Sequence, residues 1–151
     1  MNLRNEYLEF KSEIEQELIK LQKLKKELQP IIRRNEQYIK RAQASILHDF
    51  YNCCERIFLK ILSDINHYKE EDIMWHKKIL YKMTIPIKDI RPSVISEELA
   101  GELEEYLSFR HLFRHLYGFE LKTEKFKHLI KNFNRVSNKF IKEIKEFLRK
   151  I

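Results

Sequence analysis

Apolar residues recur at spacings of three and four through most of this chain, and this pattern constrains the fold more than any other feature. Such spacing places apolar side chains along one face of an α-helix. Only two glycines and three prolines occur in 151 residues, so few positions interrupt a helix. The sequence therefore predicts an all-α fold, with residues 1–151 forming one domain.

The pattern predicts a long N-terminal helical hairpin followed by further helices. Pro30 separates the two hairpin helices, and a connector over 84–95 that contains two prolines is expected to be irregular and to pack along the bundle. We expect a four- to five-helix bundle. In chain order, the predicted helices are 3–29, 31–66, Ile73 to about Met83, Ser96 to Gly118, and Lys122 to about Arg149.

The helix predicted from Ser96 to Gly118 carries basic and titratable side chains near its C-terminal end. Ser96 suits the N-cap position, and Gly118 suits the C-terminal stop. Arg110 falls within the apolar arc of this helix. Because an unpaired buried charge costs several kcal/mol, Arg110 needs a carboxylate, an interface, a wet cleft or an anionic ligand. His111 and His115 lie one turn apart on a different stripe.

An arginine beside a histidine can cleave RNA without a metal ion. The histidine can move a proton to or from a ribose or leaving oxygen, and the arginine can neutralise charge on the phosphorane. Arg110 and His115 are about 140° apart around an ideal helix and roughly 7.5 Å apart along it. A site that uses both is therefore composite, formed by a kink or by two copies across a two-fold axis. A structural ion pair for Arg110 and a solvated or core histidine at position 115 are the alternatives.

The segment from Arg110 to Tyr117 reads RHLFRHLY. It resembles the R-x-x-x-x-H-x-Y signature of HEPN-domain ribonucleases, specifically the HepT-like toxins of HEPN/MNT toxin-antitoxin pairs. The resemblance extends over nearly the whole chain. Besides the signature, the similar stretches are 44–52, 55–58, 91–96 and 117–121.

The resemblance implies a HEPN bundle that acts as a homodimeric, metal-independent endoribonuclease. It implies catalytic roles for Arg110 and His115 at the subunit interface, and His111 is a further candidate for phosphate orientation or proton transfer. It also implies a cognate MNT-type nucleotidyltransferase antitoxin that adds AMP units to Tyr117. A phosphate added beside Arg110 and Arg114 would bring negative charge to where the substrate phosphate should lie.

The positive charge of the chain is concentrated at its C-terminal end. Residues 122–151 hold eight lysines and two arginines against three glutamates, a net charge of +7 that equals the charge of the whole chain. A basic surface beside the motif helix suits RNA, with acidic proteins and anionic lipids as competitors and a merely solvated surface as the alternative. The residues considered for RNA contact are Arg114, Lys122, Lys125, Lys131 and Lys139.

The sequence argues against a metal centre. His111 and His115 have the i, i+4 spacing of half a zinc site, but no H-E-x-x-H pattern accompanies them. We therefore expect neither a metal nor a cofactor. The adjacent Cys53 and Cys54 have poor geometry for a mutual disulfide and are expected to be reduced. The histidines that could complete a zinc site are His48, His67, His76 and His128.

No apolar signal region and no run of about 20 apolar residues is evident, so the sequence predicts a soluble, cytoplasmic protein without membrane contact. Two other functions stay open at this point. One is a HEPN module without catalytic activity that binds nucleic acid, nucleotide or a partner enzyme. The other makes this chain the antitoxin of its pair.

Overall fold

The computed structural model describes residues 3–65, 76–113 and 124–151. These residues form α-helices joined by short irregular segments, which confirms the all-α prediction. A short 3-10 turn, Gln29–Ile31, follows the first helix. The α-helices are α1 (Leu3–Leu28), α2 (Gln37–Asp64), α3 (His76–Lys82), α4 (Glu97–Phe113) and α5 (Glu124–Lys150).

The predicted N-terminal hairpin is present, with one difference in its second helix. α2 begins at Gln37, later than the predicted residue 31. Glu36 has extended backbone angles at the N-cap position, so the residues before it belong to the turn and not to the helix. The apolar pattern did not reveal this turn, because Ile31 and Ile32 at its start pack partly against the core.

The helices pack as a bundle in which α5 contacts both α1 and α4. Lys25 on α1 donates to Asn138 on α5. Gln29, the first residue of the 3-10 turn that follows α1, donates to the side-chain oxygen of Asn134 at 2.7 Å. Residue numbers rise along α1 as they fall along α5, so the two helices are antiparallel. The last turn of α1 therefore lies beside the first half of α5.

Aromatic side chains from three helices form the centre of the core. The ring of Phe50 on α2 makes edge-to-face contacts with Tyr106 on α4 at 5.3 Å and Phe133 on α5 at 5.1 Å. Tyr106 is 1% exposed, and its hydroxyl donates to the carbonyl of Leu129 at 2.7 Å. This core fixes the C-terminal half of α4 against α2 and α5.

The connector before α4 is only partly packed against the bundle. Val94 and Ile95 are buried, whereas Ile85 and Ile90 are more than half exposed. Arg91 is also buried, and its guanidinium donates to nearby backbone carbonyls. The predicted packing along the bundle thus holds for the end of the connector that leads into α4.

Ser96 caps α4 as the sequence predicts. Its hydroxyl accepts a hydrogen bond from the backbone N–H of Leu99 at 3.1 Å. The backbone N–H of Ser96 donates to the carboxylate of Glu143 on α5 at 2.6 Å. The cap thus joins the start of α4 to the second half of α5.

Replacing Ser96 with alanine is expected to lower the free energy of unfolding by about 1 kcal/mol, because the N–H of Leu99 loses its acceptor. Urea denaturation followed by circular dichroism measures this change. The matched control is Ser45→Ala, an exposed serine inside α2, which should change the stability by less than about 0.5 kcal/mol. Equal effects of the two substitutions would contradict the capping role.

Within the residues described, none of the helices combines the length and apolar character that a membrane span requires.

Candidate functional site

Arg110 lies near the C-terminal end of α4 and points into the bundle, where it is only 5% exposed. The apolar arc of α4 predicted this burial, since Leu103 and Tyr106 on the same face are buried as well. The side chain faces α2, which supplies its partners. The prediction that Arg110 needs a partner is therefore confirmed, and the partner is a carboxylate.

Glu55 on α2 holds the guanidinium of Arg110 in a two-point ion pair. Nη1 of Arg110 donates to Oε1 of Glu55 at 3.2 Å, and Nη2 donates to Oε2 at 3.1 Å. Nη1 also donates to Oδ1 of Asn52 at 2.9 Å. Asn52 and Glu55 are three residues apart, so they share one face of α2. The planar fork of the guanidinium matches the carboxylate, which fixes its orientation.

Tyr51 covers one face of the guanidinium. Its ring centroid lies 4.9 Å from the central carbon of Arg110, a cation–π distance. Burial raises the pKa of the Tyr51 phenol well above its ordinary value, so the phenol stays neutral. Its hydroxyl has no hydrogen-bond partner among the residues that the structure describes.

Each of the two hydrogen-bond partners of Arg110 also contacts a histidine. Nδ1 of His76, the first residue of α3, lies 2.9 Å from Oε2 of Glu55. The side-chain amide of Asn52 donates to Nδ1 of His48 at 3.3 Å. We use the name Arg110 network for Arg110, its three partners and the histidine that contacts Glu55. Its members are Arg110, Tyr51, Asn52, Glu55 and His76.

The structure describes some of the residues that the sequence proposed for the site. His111 is exposed on α4, beside Arg110. Lys125 and Lys131 are exposed on α5, while Lys139 forms an ion pair with Glu98 at 3.0 Å. The remaining proposed residues, which lie outside the described part of the chain, are Arg114, His115, Tyr117 and Lys122.

Sequence reasoning did not assign the neighbours of Arg110 to the site. Asn52 and Glu55 lie in two stretches that carry the family resemblance, so a signal for them existed. Their pairing with Arg110 could not be read from it, because 55 positions separate Glu55 from Arg110. The sequence suggests a role for His76 only as a zinc ligand.

No group of three or more histidine, cysteine, aspartate or glutamate side chains in the described residues is placed to hold a metal ion. Cys53 and Cys54 have free, buried thiols. Burial raises the pKa of both thiols, which disfavours the reactive thiolate form.

A family model described as HepT-like protein matches residues 42–151. The chain belongs to the HepT-like family. The matched residues of this HepT-like protein include the whole Arg110 network, whereas α1 and the turn after it precede the match. No curated protein and no solved structure gives a significant match.

Proposed function

We propose that this HepT-like protein is a metal-independent endoribonuclease and the toxin of a toxin-antitoxin pair. The observation that carries the proposal is the geometry of Arg110: a permanently charged guanidinium fixed by Glu55 and Asn52, five positions before the histidine of the RHLFRHLY motif. Membership of the HepT-like family supports a HEPN-type ribonuclease.

The proposed role of Arg110 is to stabilise negative charge on the phosphate. Glu55 and Asn52 accept hydrogen bonds from three of the five N–H groups of the guanidinium, and within the described residues no hydrogen bond uses Nε–H or the second N–H of Nη2. Nε–H is the donor that we assign to a phosphate oxygen. A preorganised donor in a buried site costs little reorganisation when charge develops.

His115 is the proposed general base, which takes the proton from the ribose 2′-OH. The 2′ oxygen then attacks the phosphorus, and the bond from phosphorus to the 5′ oxygen breaks. A proton donated to that 5′ oxygen, by His111 in our proposal, completes the step. The products are a 2′,3′-cyclic phosphate and a free 5′-OH.

We place this site between two copies of the chain. Arg110 and His115 lie too far apart around one ideal helix to meet at a single phosphate, as their offset of about 140° indicates. A two-fold axis brings Arg110 of one copy close to His115 of the other. A homodimer is therefore part of the proposal.

The proposed partner is a nucleotidyltransferase of the MNT type that inhibits the enzyme by adding AMP to Tyr117. An added phosphate would be attracted to Arg110 and would compete with the phosphate of the substrate.

Expression of this chain alone tests the proposal. We expect wild type to arrest growth and to leave RNA fragments with cyclic phosphate ends, whereas Arg110→Ala and His115→Ala allow growth and leave RNA intact. Arg149→Ala, which removes an exposed arginine at the far end of α5, is the matched control and should remain toxic. In reactions with the purified protein, RNA fragments with 5′-phosphate ends that form only when Mg²⁺ is added would contradict the mechanism.

One observation favours a second candidate function. The two-point pairing of Arg110 with Glu55 also suits a structural ion pair, as in a HEPN module that binds RNA without cleaving it. In that case wild type, expressed alone as a soluble protein without modification at Tyr117, would leave growth and RNA unchanged.

A further inference from the structure

A groove of about 780 Å³, lined by both polar and apolar side chains, lies between the turn that joins α1 to α2 and the first half of α5. Its lining has neither aspartate nor glutamate, and uncharged amides accompany its cations. The sequence drew attention only to the α5 side of this groove. The cationic residues that line it are Arg33, Arg34, Lys127 and Lys131.

Hydrogen bonds fix both walls of the groove. Gln29 and Asn134 exchange two amide hydrogen bonds, at 2.7 and 3.2 Å, which join the end of α1 to α5. Gln43 is 2% exposed, and its amide donates to the carbonyls of Ile31 at 2.7 Å and Arg34 at 3.1 Å. These contacts hold the turn in place, so the groove is preorganised for a ligand.

Three of the four cations of the groove are available to an anion. Arg33 and Lys131 are exposed and form no ion pair within the described residues. Lys127 makes a single contact of 3.3 Å with the exposed Glu124. Such surface pairs contribute about 0 to 1 kcal/mol, so a phosphate can replace that carboxylate. Arg34, in contrast, donates through Nε and Nη2 to both carboxylate oxygens of Glu36 and is already neutralised.

We propose that this groove binds the phosphodiester backbone of single-stranded RNA, an inference that rests on the proposed function. Several cations along one groove match the repeated charges of a polynucleotide, and the amides can donate to sugar or phosphate oxygens.

The two walls of the groove come from different parts of the chain. Arg33 and Arg34 precede residues 42–151, the part that the family model matches, whereas Lys127 and Lys131 lie within it. The groove therefore combines a helix of the HepT-like region with a preceding turn.

The test measures binding of an oligonucleotide whose 2′-hydroxyls are methylated, because such RNA cannot be cleaved through its 2′ oxygen. Arg33→Gln/Lys131→Gln is expected to weaken binding on the order of tenfold at 0.1 M salt. The association constant of wild type falls as salt rises. In the variant, the slope of its logarithm against log salt concentration should be shallower by about 1.4, since each phosphate contact in a single strand contributes about 0.7. The control, Lys145→Gln/Arg149→Gln, removes the same two residue types from a separate groove between α1 and α5 and should leave the slope unchanged.

The outcomes separate this inference from the proposed function. Equal slopes for Arg33→Gln/Lys131→Gln and the control would contradict RNA binding by the groove, even if wild type cleaves RNA. Weaker RNA binding by that variant, with a shallower slope, would support RNA binding by the groove, even if wild type cleaves nothing. Competition by AMP as strong as by the oligonucleotide would identify a nucleotide pocket and contradict a site for a polymer.

Discussion

Replacing Glu55 with alanine is expected to lower the free energy of unfolding by about 3 to 5 kcal/mol. The substitution leaves the guanidinium of Arg110, which is 5% exposed, without the carboxylate that neutralises it. It also removes the contact between Glu55 and His76. Urea denaturation followed by circular dichroism, with the variant compared directly to wild type, measures the loss.

Two further variants separate charge burial from a general effect on α2. Asp49→Ala removes a carboxylate that is 53% exposed on the same helix, and it should change the stability by less than about 1 kcal/mol. Glu55→Leu/Arg110→Met replaces both charges with apolar groups and is expected to recover most of the loss. A loss for Glu55→Ala no larger than that for Asp49→Ala would contradict a buried ion pair.

The second large effect concerns cleavage of RNA by the purified protein. His115→Ala should lower the cleavage rate by about 10² to 10⁴-fold, the usual contribution of a general base. Arg110→Lys should lower it by about 10² to 10³-fold, because a lysine keeps the charge but cannot reproduce the fork that Glu55 and Asn52 orient. Arg149→Lys is the control and should retain the wild-type rate.

Mixing the two inactive variants tests whether the site is shared between copies. If Arg110 of one chain acts with His115 of the other, each mixed dimer contains one intact site, and the rate should recover to about a quarter of wild type after random subunit exchange. If both residues act within one chain, every site in the mixture is defective. Absence of recovery, with subunit exchange shown independently, would contradict the composite site.

The helices could be predicted from the sequence because their hydrogen bonds and apolar faces are local. α1 ends at Leu28, one residue before the predicted end, and Ser96 occupies the predicted cap of α4. The start of α2 was predicted too early. There the decisive contact is made by Gln43, which donates to the carbonyls of Ile31 and Arg34. These two residues precede Gln43 by 12 and 9 positions, so the contact is not a local one.

In the candidate site, too, the local feature could be predicted and the long-range contacts could not. The position of Arg110 in the apolar arc of α4 was enough to predict that it is buried and paired, because a buried charge without a partner is too costly to persist. The identity of the partner was not predictable, since any carboxylate in the chain would have satisfied the same condition. The packing of α4 against α2 selected Glu55, and with it Asn52 and Tyr51.

By itself, the sequence determined the helical class, the family resemblance and the need of Arg110 for a partner, all of which depend on residues near one another in the chain. The tertiary structure alone decided which distant side chains meet. It placed Glu55 against Arg110, and it placed Arg33 and Lys131 in the lining of one groove. The physical reason is that charge pairing and groove formation depend on distances in space, which local periodicity does not specify.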